Sequence, residues 1–335
     1  MPTKGALTQA RERISYRFFE SQFNSIKSDF KDVQKKINGF YVYGVDGDIY
    51  SIPRNKRTED DGFYGCPVQG NKESHFLRMY TVSAVDVFSG IPLEFAYGTR
   101  CNEIDLALSL VNKLERNSIC IYDRLFFSKK LIRGHRDHKS FFVCRLQRTS
   151  FKEANALFKS NRRTSFANIE GVDVRLIKIK NPRSKEEAVF ATNLPKEKFS
   201  DSEIQQLYIK RWESEISNKD STDTLKLEQF HSKNINGILQ EVYIHLWFVC
   251  FSKMQIINHH KVQKKNLIAN EYEKSNYKEV AVFIIQNLPQ IIIRNIKKVY
   301  NKMKFIIKRS VEKRVHNKRS NPRICKNMQE LQKTI

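Results

Sequence analysis

Short apolar runs separated by polar turns fill residues 40–146, and their spacing predicts strands mixed with helices. Most runs are rich in β-branched and aromatic residues, which favour strands. One run instead repeats its apolar residues at helical spacing, behind Asn102 as an N-cap. We expect strands at 40–46, 49–53, 76–90, 91–99, 118–123 and 141–146, and helices at 103–114 and 127–135. This order indicates a mixed α/β layer.

Turn-forming residues interrupt the apolar pattern at two places. Gly47 and Asp48 are typical of a hairpin turn, so we expect the chain to reverse between the first two strands. The segment 54–73 is charged and rich in turn residues, and we expect it to be a loop.

The rest of the chain divides into further segments. A polar amphipathic helix is expected over 1–37, a β-rich insertion over 147–200, a helix over 200–216 and a buried helix over 238–257. Ser200, followed three residues later by Glu203, predicts a capping box at the start of the helix over 200–216. The predicted divisions are 1–38, 39–146, 147–200, 201–255 and 256–335.

The charge of the chain points to a polyanionic partner. The 335 residues include 60 Lys and Arg against 36 Asp and Glu, a net charge of +24, and the chain from about residue 294 is densely basic. A surface that is basic only for solubility, or a ribosomal protein, is the alternative. With 40% hydrophobic residues, however, the chain can build a large core, which small ribosomal proteins seldom do. Nucleic acid is therefore the expected partner.

Several classes of protein are disfavoured by missing motifs. The six cysteines are far apart, without C-x-x-C spacing, which argues against a zinc site and for a reducing compartment. The sequence contains no Walker loop, dinucleotide-binding fingerprint or nucleophile elbow. No apolar run resembles the core of a signal peptide or a convincing membrane span, so we expect neither. We expect a cytoplasmic, nucleoid-associated protein.

Three carboxylates from separate segments are candidates for metal chemistry. Asp46 and Asp123 each end an apolar strand, where α/β folds place their ligands. Glu215 lies on a predicted helix face that also carries Tyr208 and Arg211. Carboxylate oxygens suit hard divalent cations, and two such ions can catalyse phosphoryl transfer. The alternative is that Asp ends strands simply because it suits turns.

Other carboxylates compete for the same role. They are Asp48, Asp86, Glu94, Glu213 and Glu228. Asp48 is the closest rival, although a place in a turn favours a structural role for it.

These residues resemble a known family. The segments VDGDIYSIP, IYDRLFF and LYIKRWESE are similar to the three conserved blocks of the bacterial insertion-sequence transposases of the IS-four group, which have a DDE catalytic triad. Asp46-Gly47 and Asp123-Arg124 match the first two blocks. In the third block the final lysine of the family is replaced by Thr222, with Lys219 and Lys226 one helical turn either side.

The resemblance implies a ribonuclease H-like mixed sheet flanked by helices, with a β-rich insertion before the last catalytic helix. It implies a transposase that cleaves and transfers DNA strands at insertion-sequence ends. Asp46, Asp123 and Glu215 would be the catalytic metal ligands, for Mg²⁺ or Mn²⁺. The partners would be the terminal repeats, the target DNA and a second copy of the chain in a synaptic homodimer.

The resemblance also implies contacts with DNA, from Tyr208, Arg211, Trp212, Lys219, Lys233 and Arg124. Trp212 either stacks on a base or faces the core, and an aromatic residue on a helix favours the core. Two other functions stay open: a nuclease of the same fold, and an inactive DNA-binding protein derived from a transposase.

Overall fold

The computed structural model describes residues 3–65, 74–180, 187–219, 229–262, 273–293, 296–309 and 311–313. The chain forms two compact units, Met1–Ile257 and Asn258–Ile335. No helix within these ranges is long and apolar enough to cross a lipid bilayer.

The described strands of the first unit join in one nine-stranded sheet. They are β1 (Val42–Pro53), β2 (Tyr64–Gly65), β3 (Phe76–Asp86), β4 (Pro92–Gly98), β5 (Ile119–Tyr122), β6 (Phe141–Leu146), β7 (Thr164–Ile169), β8 (Val172–Lys180) and β9 (Glu187–Thr192). The order is β2-β3-β1-β5-β6-β9-β8-β7, with β4 also paired to β3. Strands β1, β5 and β6 are parallel, and the other pairs are antiparallel.

Helices cover both faces of this sheet. They are α1 (Lys4–Arg13), α2 (Tyr16–Lys31), α3 (Lys56–Asp60), α4 (Glu103–Val111), α5 (Lys129–His138), α6 (Lys152–Lys159), α7 (Asp201–Ile209), α8 (Trp212–Lys219) and α9 (Ile235–Val262). Residues from α2, α4, α5 and α9 pack in the larger apolar core, and α7 packs in a smaller one. The predicted fold class is confirmed: three antiparallel strands continue into parallel β5 and β6, the ribonuclease H-like arrangement.

The predicted N-caps of two helices are confirmed. The side chain of Asn102 accepts a hydrogen bond from the backbone N–H of Asp105 at the start of α4. Ser200 and Glu203 form the predicted capping box of α7. These side chains satisfy N–H groups that the first turn of a helix leaves without partners.

The predicted turn at Gly47 and Asp48 is wrong, because β1 runs through both residues to Pro53. They pair with Val82 and Thr81 of β3. The core-facing side of β1 changes at this point, from odd positions such as Val45 to even positions such as Tyr50. The alternation of apolar and polar residues is therefore interrupted at Gly47 and Asp48 although the strand continues.

Three further predictions about elements need correction. The expected loop over 54–73 contains α3 and β2, while residues 66–73 lie outside the described residues. The expected helix over 1–37 is two helices, α1 and α2. The expected helix over 200–216 is also two, because Lys210 and Arg211 separate α7 from α8.

The segment 147–200 contributes α6 and three strands to the first unit. Strands β7 and β8 form a hairpin, and β9 pairs with both β8 and β6. The segment therefore lengthens the central sheet. The five-part division of the chain remains a prediction.

The second unit contains a basic helix. Its described elements are β10 (Glu273–Ser275), α10 (Tyr277–Ile293), α11 (Ile296–Arg309) and β11 (Val311–Lys313). Val299, Met303 and Ile307 of α11 are buried, whereas Lys297, Lys298, Lys302, Lys308 and Arg309 are exposed. The basic sequence after Lys313 lies outside the described residues.

Candidate active site

Two neighbouring parallel strands bring Asp46 and Asp123 together. Val45 of β1 is aligned with Tyr122 of β5, so Asp46 and Asp123 are the next positions on adjacent strands. Adjacent strands lie about 4.8 Å apart. Asp46 does not end its strand, as the sequence predicted, but lies within β1 at the level where β5 ends. Both carboxylates therefore lie where the parallel sheet stops.

Helix α8 carries Glu215 over the same place, and its position depends on a glycine. A Cβ atom at Gly44 would lie 3.1 Å from the Cβ of Ser214, so β1 and α8 approach too closely for most side chains. The buried Ser214 hydroxyl donates to the carbonyl of Arg211 at 2.6 Å. Further along α8, the Ser217 hydroxyl donates to the carbonyl of Gly90 at 2.9 Å. These contacts hold Glu215 against the sheet.

The guanidinium of Arg211 links the carboxylates. Its Nη2 donates to Glu215 Oε1 at 2.6 Å, and its Nη1 lies 3.9 Å from Asp46 Oδ1. The side chain of Arg211 is only 9% exposed and that of Glu215 only 16%, so this is a largely buried ion pair. Because little water screens it, the Coulomb attraction within the pair is stronger than in an exposed pair of the same spacing.

Tyr208 completes the cluster on the side of Asp123. Its hydroxyl donates to Asp123 Oδ1 at 3.4 Å, and its ring lies 5.8 Å from the guanidinium carbon of Arg211. The ring also packs on Phe190 of β9. Burial raises the pKa of Tyr208 to about 12, so the hydroxyl stays a hydrogen-bond donor at neutral pH.

Negative charge is concentrated at Asp46. Burial first, and then the charges of Glu215, Asp48 and Asp123, raise the pKa of Asp46 to about 6, against the lowering effect of Arg211. A cation near Asp46 would therefore be stabilised by several carboxylates at once.

Asp46→Asn is expected to stabilise the fold at pH 8. The pKa of Asp46 in the folded protein, about 6, exceeds the unfolded value of about 3.9. The stabilisation that comes from protonating Asp46 is therefore complete below about pH 4 and is lost as the pH rises through 6. The Asn variant has no carboxyl group to ionise at this position, so it does not lose this stabilisation as the pH rises. At pH 8 its free energy of unfolding should exceed that of the unmodified protein by at most about 3 kcal/mol.

Urea unfolding of both proteins between pH 4 and 8, without divalent cations, measures this difference. Asp137→Asn is the control, because that carboxylate is 61% exposed on α5. A stability difference that stays constant over the whole pH range would contradict a raised pKa for Asp46.

Gly44→Ala is expected to slow the chemistry of the site about tenfold, because small displacements of reacting groups cost large factors in rate. The added methyl group would press on Ser214, whose Oγ would lie 3.2 Å away, and move α8 with Glu215 away from β1. The single-turnover rate of the DNA cleavage that the family resemblance implies measures the effect. The matched control is Gly5→Ala in α1, where a Cβ atom meets nothing closer than 4.0 Å. Equal rates for the two variants would show that the contact between β1 and α8 does not position the site.

The other predicted DNA-contacting residues are placed differently. Trp212, the first residue of α8, is 55% exposed, so the expectation that it faces the core is wrong. Arg124 is exposed directly after Asp123. The carbonyl of Lys233 accepts from Asn55, which lies beyond the end of β1, roughly 20 Å or more along the strand from Asp46. The structure therefore does not bring Lys233 to the carboxylates.

Other predicted positions fall outside the described part of the chain. Lys219 ends α8, but its side chain, like that of Glu213, lies outside the described residues. Thr222, Lys226 and Glu228 lie outside them entirely.

The competing carboxylates have other partners. Asp86 is buried and accepts hydrogen bonds from Ser89 and Phe88 in the turn between β3 and β4. Glu94 pairs with Lys27 at 2.7 Å. Asp48 accepts from the backbone N–H of Ile49, and burial raises its pKa. Asp48 alone among these three stays beside the cluster.

Glu103 is an acidic residue near the site that the sequence did not indicate. A Cβ atom at Gly47 would lie 2.8 Å from its Oε1. Burial, together with the charge of Asp48, raises the pKa of Glu103. The only local signal was its place in the first turn of α4, which says nothing about how that helix crosses the sheet.

The oxygen atoms of the carboxylates are suitable ligands for a divalent cation, although the guanidinium of Arg211 lies between two of them in this structure. Asp46, Asp123 and Glu215 offer only oxygen ligands, which Mg²⁺ and Mn²⁺ prefer. Within the described ranges, however, no group of three or more His, Cys, Asp or Glu side chains is arranged to hold a metal ion. The guanidinium supplies the positive charge between Asp46 and Glu215.

Comparisons with known proteins agree in part with this site. A family described as "Transposase DDE domain" matches residues 41–251, a range that includes all three carboxylates. No curated protein sequence matches the chain. Among solved structures, the chain is similar to the piggyBac transposase, determined by cryo-EM as a synaptic complex with hairpin DNA. The TM-score is 0.43 and the identity 12%, over 88% of this chain and 61% of that one.

Proposed function

Because the chain belongs to the transposase DDE domain family, we propose that it cleaves DNA at insertion-sequence ends and transfers the strands to target DNA. We propose further that it is an insertion-sequence transposase of the IS-four group. The observation that supports the proposal is that Arg211 pairs with Glu215 and approaches Asp46, while Asp123 lies beside Asp46 at the end of the neighbouring strand. These residues come from two strands and a helix that are far apart in the sequence.

Asp46, Asp123 and Glu215 would hold Mg²⁺ or Mn²⁺. Bound there, two such ions supply activation of the attacking oxygen and stabilisation of the leaving oxygen. The residues of the chain are proposed to orient the DNA. Arg211, once released from Glu215 and Asp46, would pair with a phosphate through its bidentate fork. The Tyr208 hydroxyl, once released from Asp123, would donate one further hydrogen bond. The exposed Trp212 and Arg124 border the same site and are proposed to contact the DNA end.

DNA is the partner that the charge of the protein supports best. The net charge of +24 suits a polyanion, and α11 presents a row of exposed basic side chains. We propose that the terminal repeats and the target DNA are bound by a homodimer, in the cytoplasm and on the nucleoid. Lys219 and Lys233 are proposed as additional phosphate contacts.

Replacing Lys297, Lys298 and Lys308 by Gln is expected to flatten the salt dependence of DNA binding. These side chains are exposed, whereas the buried face of α11 stays intact. Each lost phosphate contact should reduce the slope of log K against log salt by about 0.9, or about 2.7 for all three. Fluorescence anisotropy between 50 and about 300 mM salt measures the slope.

The matched control removes the same charge from the first unit, at Lys152, Lys159 and Lys196, which are also exposed. If the α11 variant and the unmodified protein had the same slope of log K against log salt, α11 would not bind DNA.

A strand-transfer assay tests the proposed function. The protein is mixed with precut terminal-repeat DNA, a supercoiled target and Mg²⁺ or Mn²⁺. Joined products that require the divalent ion are expected. Cleavage of uncut ends without joining would indicate a nuclease, and binding without either reaction would indicate an inactive DNA-binding protein.

A further inference from the structure

Arg211 makes its hydrogen bonds inside the protein, although it lies at a site proposed to act on DNA. Its guanidinium is bonded to Glu215 at 2.6 Å and lies 3.9 Å from Asp46. The residue is 8% exposed. In this position the guanidinium interacts with two carboxylates and does not face a phosphate.

The internal position leaves one donor unsatisfied. The Nε of Arg211 is buried and has no hydrogen-bond partner among the described residues. Burying a donor without a partner is unfavourable, because the group loses its hydrogen bonds to water. A position in which all the nitrogens of Arg211 are bonded, to phosphate oxygens for example, would remove this penalty.

The backbone allows the side chain to move alone. Arg211 lies at the break between α7 and α8, where its N–H donates to the carbonyl of Tyr208 at 3.0 Å. Its own carbonyl accepts from both the N–H and the hydroxyl of Ser214, at 3.0 and 2.6 Å. Ser214 in turn packs on Gly44. The main chain is therefore held in place whichever way the guanidinium points.

We propose that Arg211 is a competing counter-ion, which occupies the carboxylates in the free protein and yields them to the divalent cation when DNA draws the guanidinium to a phosphate. A guanidinium and a divalent ion repel one another and use the same oxygens of Glu215 and Asp46. Cation binding is therefore weak without DNA and is strengthened by it, and by linkage the cation strengthens DNA binding by the same factor. This inference rests on the proposed function.

The test measures Mn²⁺ binding to the free protein by electron paramagnetic resonance, which needs no catalysis. Arg211→Met keeps most of the volume and removes the charge. We expect it to bind Mn²⁺ at least about tenfold more tightly than the unmodified protein in the absence of DNA, since a charge-assisted hydrogen bond no longer has to be broken. Adding a terminal-repeat duplex should raise the affinity of the unmodified protein much more than that of the variant.

Arg175→Met is the matched control. Arg175 is also buried, pairs with Asp201 at 3.2 Å, and has an Nε without a partner among the residues described. It is not part of the carboxylate cluster, so its loss should leave Mn²⁺ affinity unchanged. Where Arg211→Met does not fold, Arg211→Gln is measured instead, because a neutral amide can still donate to Glu215.

The outcomes separate this inference from the function on which it rests. Equal or weaker Mn²⁺ binding by the Arg211 variants would overturn the competing role and leave the proposed function standing. No Mn²⁺ binding by any of the proteins, with or without DNA, would overturn both. An equal gain for the Arg175 variant would overturn the inference as well, because it would trace the effect to a general loss of positive charge.

Discussion

Asp123→Asn is expected to reduce DNA cleavage by about 1,000-fold or more, while DNA affinity stays within a few-fold. Asn keeps the shape of the side chain but loses the charge that holds a divalent ion, whose contribution to the transition state is several kcal/mol. Asp123 lies beside Asp46 at the end of β5, and Tyr208 already donates to its Oδ1. Binding rests on the many Lys and Arg side chains, which the substitution leaves in place.

Single-turnover cleavage in Mg²⁺, together with anisotropy on the same DNA, separates the two effects. Asp137→Asn, on the exposed face of α5, is the control for a lost carboxylate. If the Asp123 variant still cut DNA at the normal rate, Asp48 would be the first alternative ligand. Asp86 would not, because its oxygens are engaged in the turn at Ser89.

Arg211→Ala is expected to slow cleavage at terminal repeats about 100-fold at saturating enzyme, because an aligned cation stabilises charge that develops on the scissile phosphate. Affinity for random DNA should fall only slightly, since one phosphate contact among many is lost. Single-turnover rates at saturation isolate the chemical step. The same substitution should raise the affinity of the free protein for the cation and lower the cleavage rate.

The alternative for Arg211 is an ordinary ion pair with Glu215 at helical spacing. The pair exists, but it is buried and extends towards Asp46, unlike an exposed i,i+4 pair. Lys210→Ala is the control, because the adjacent Lys210 lies 5.1 Å from the ring of Phe88 and not on the carboxylates. A rate for Arg211→Ala within a few-fold of the Lys210 variant would favour the simple ion pair.

Local signals predicted the elements wherever tertiary contacts agreed with them. The apolar strands and the caps at Asn102 and Ser200 needed only short-range information. Gly47 and Asp48 have the local preference for a turn, but eleven aligned pairs with β3 hold them in a strand. The break between α7 and α8 was equally hidden, because neither Lys210 nor Arg211 is a helix-breaking residue.

The residues of the candidate site could be proposed from the sequence, but their arrangement could not. Asp46 and Asp123 were recognised by their place after apolar runs, and Glu215 by its unusual helix face. The buried guanidinium of Arg211 and the exposed ring of Trp212 lie at the break between α7 and α8, which the sequence did not indicate. Lys233 matched the sequence pattern, yet the loop before α9 carries it to the far end of β1.

The pairing of β9 with β6 limits how this protein can be engineered. Strand β6 is the last parallel strand, and its residues Phe142 and Val143 are fully buried. Excising the segment that carries β7, β8 and β9, in order to make a minimal enzyme, would leave the backbone N–H and C=O groups of β6 as an open edge. Such edges pair with other chains. A shortened version should therefore aggregate during expression unless a new strand or charged residues protect that edge.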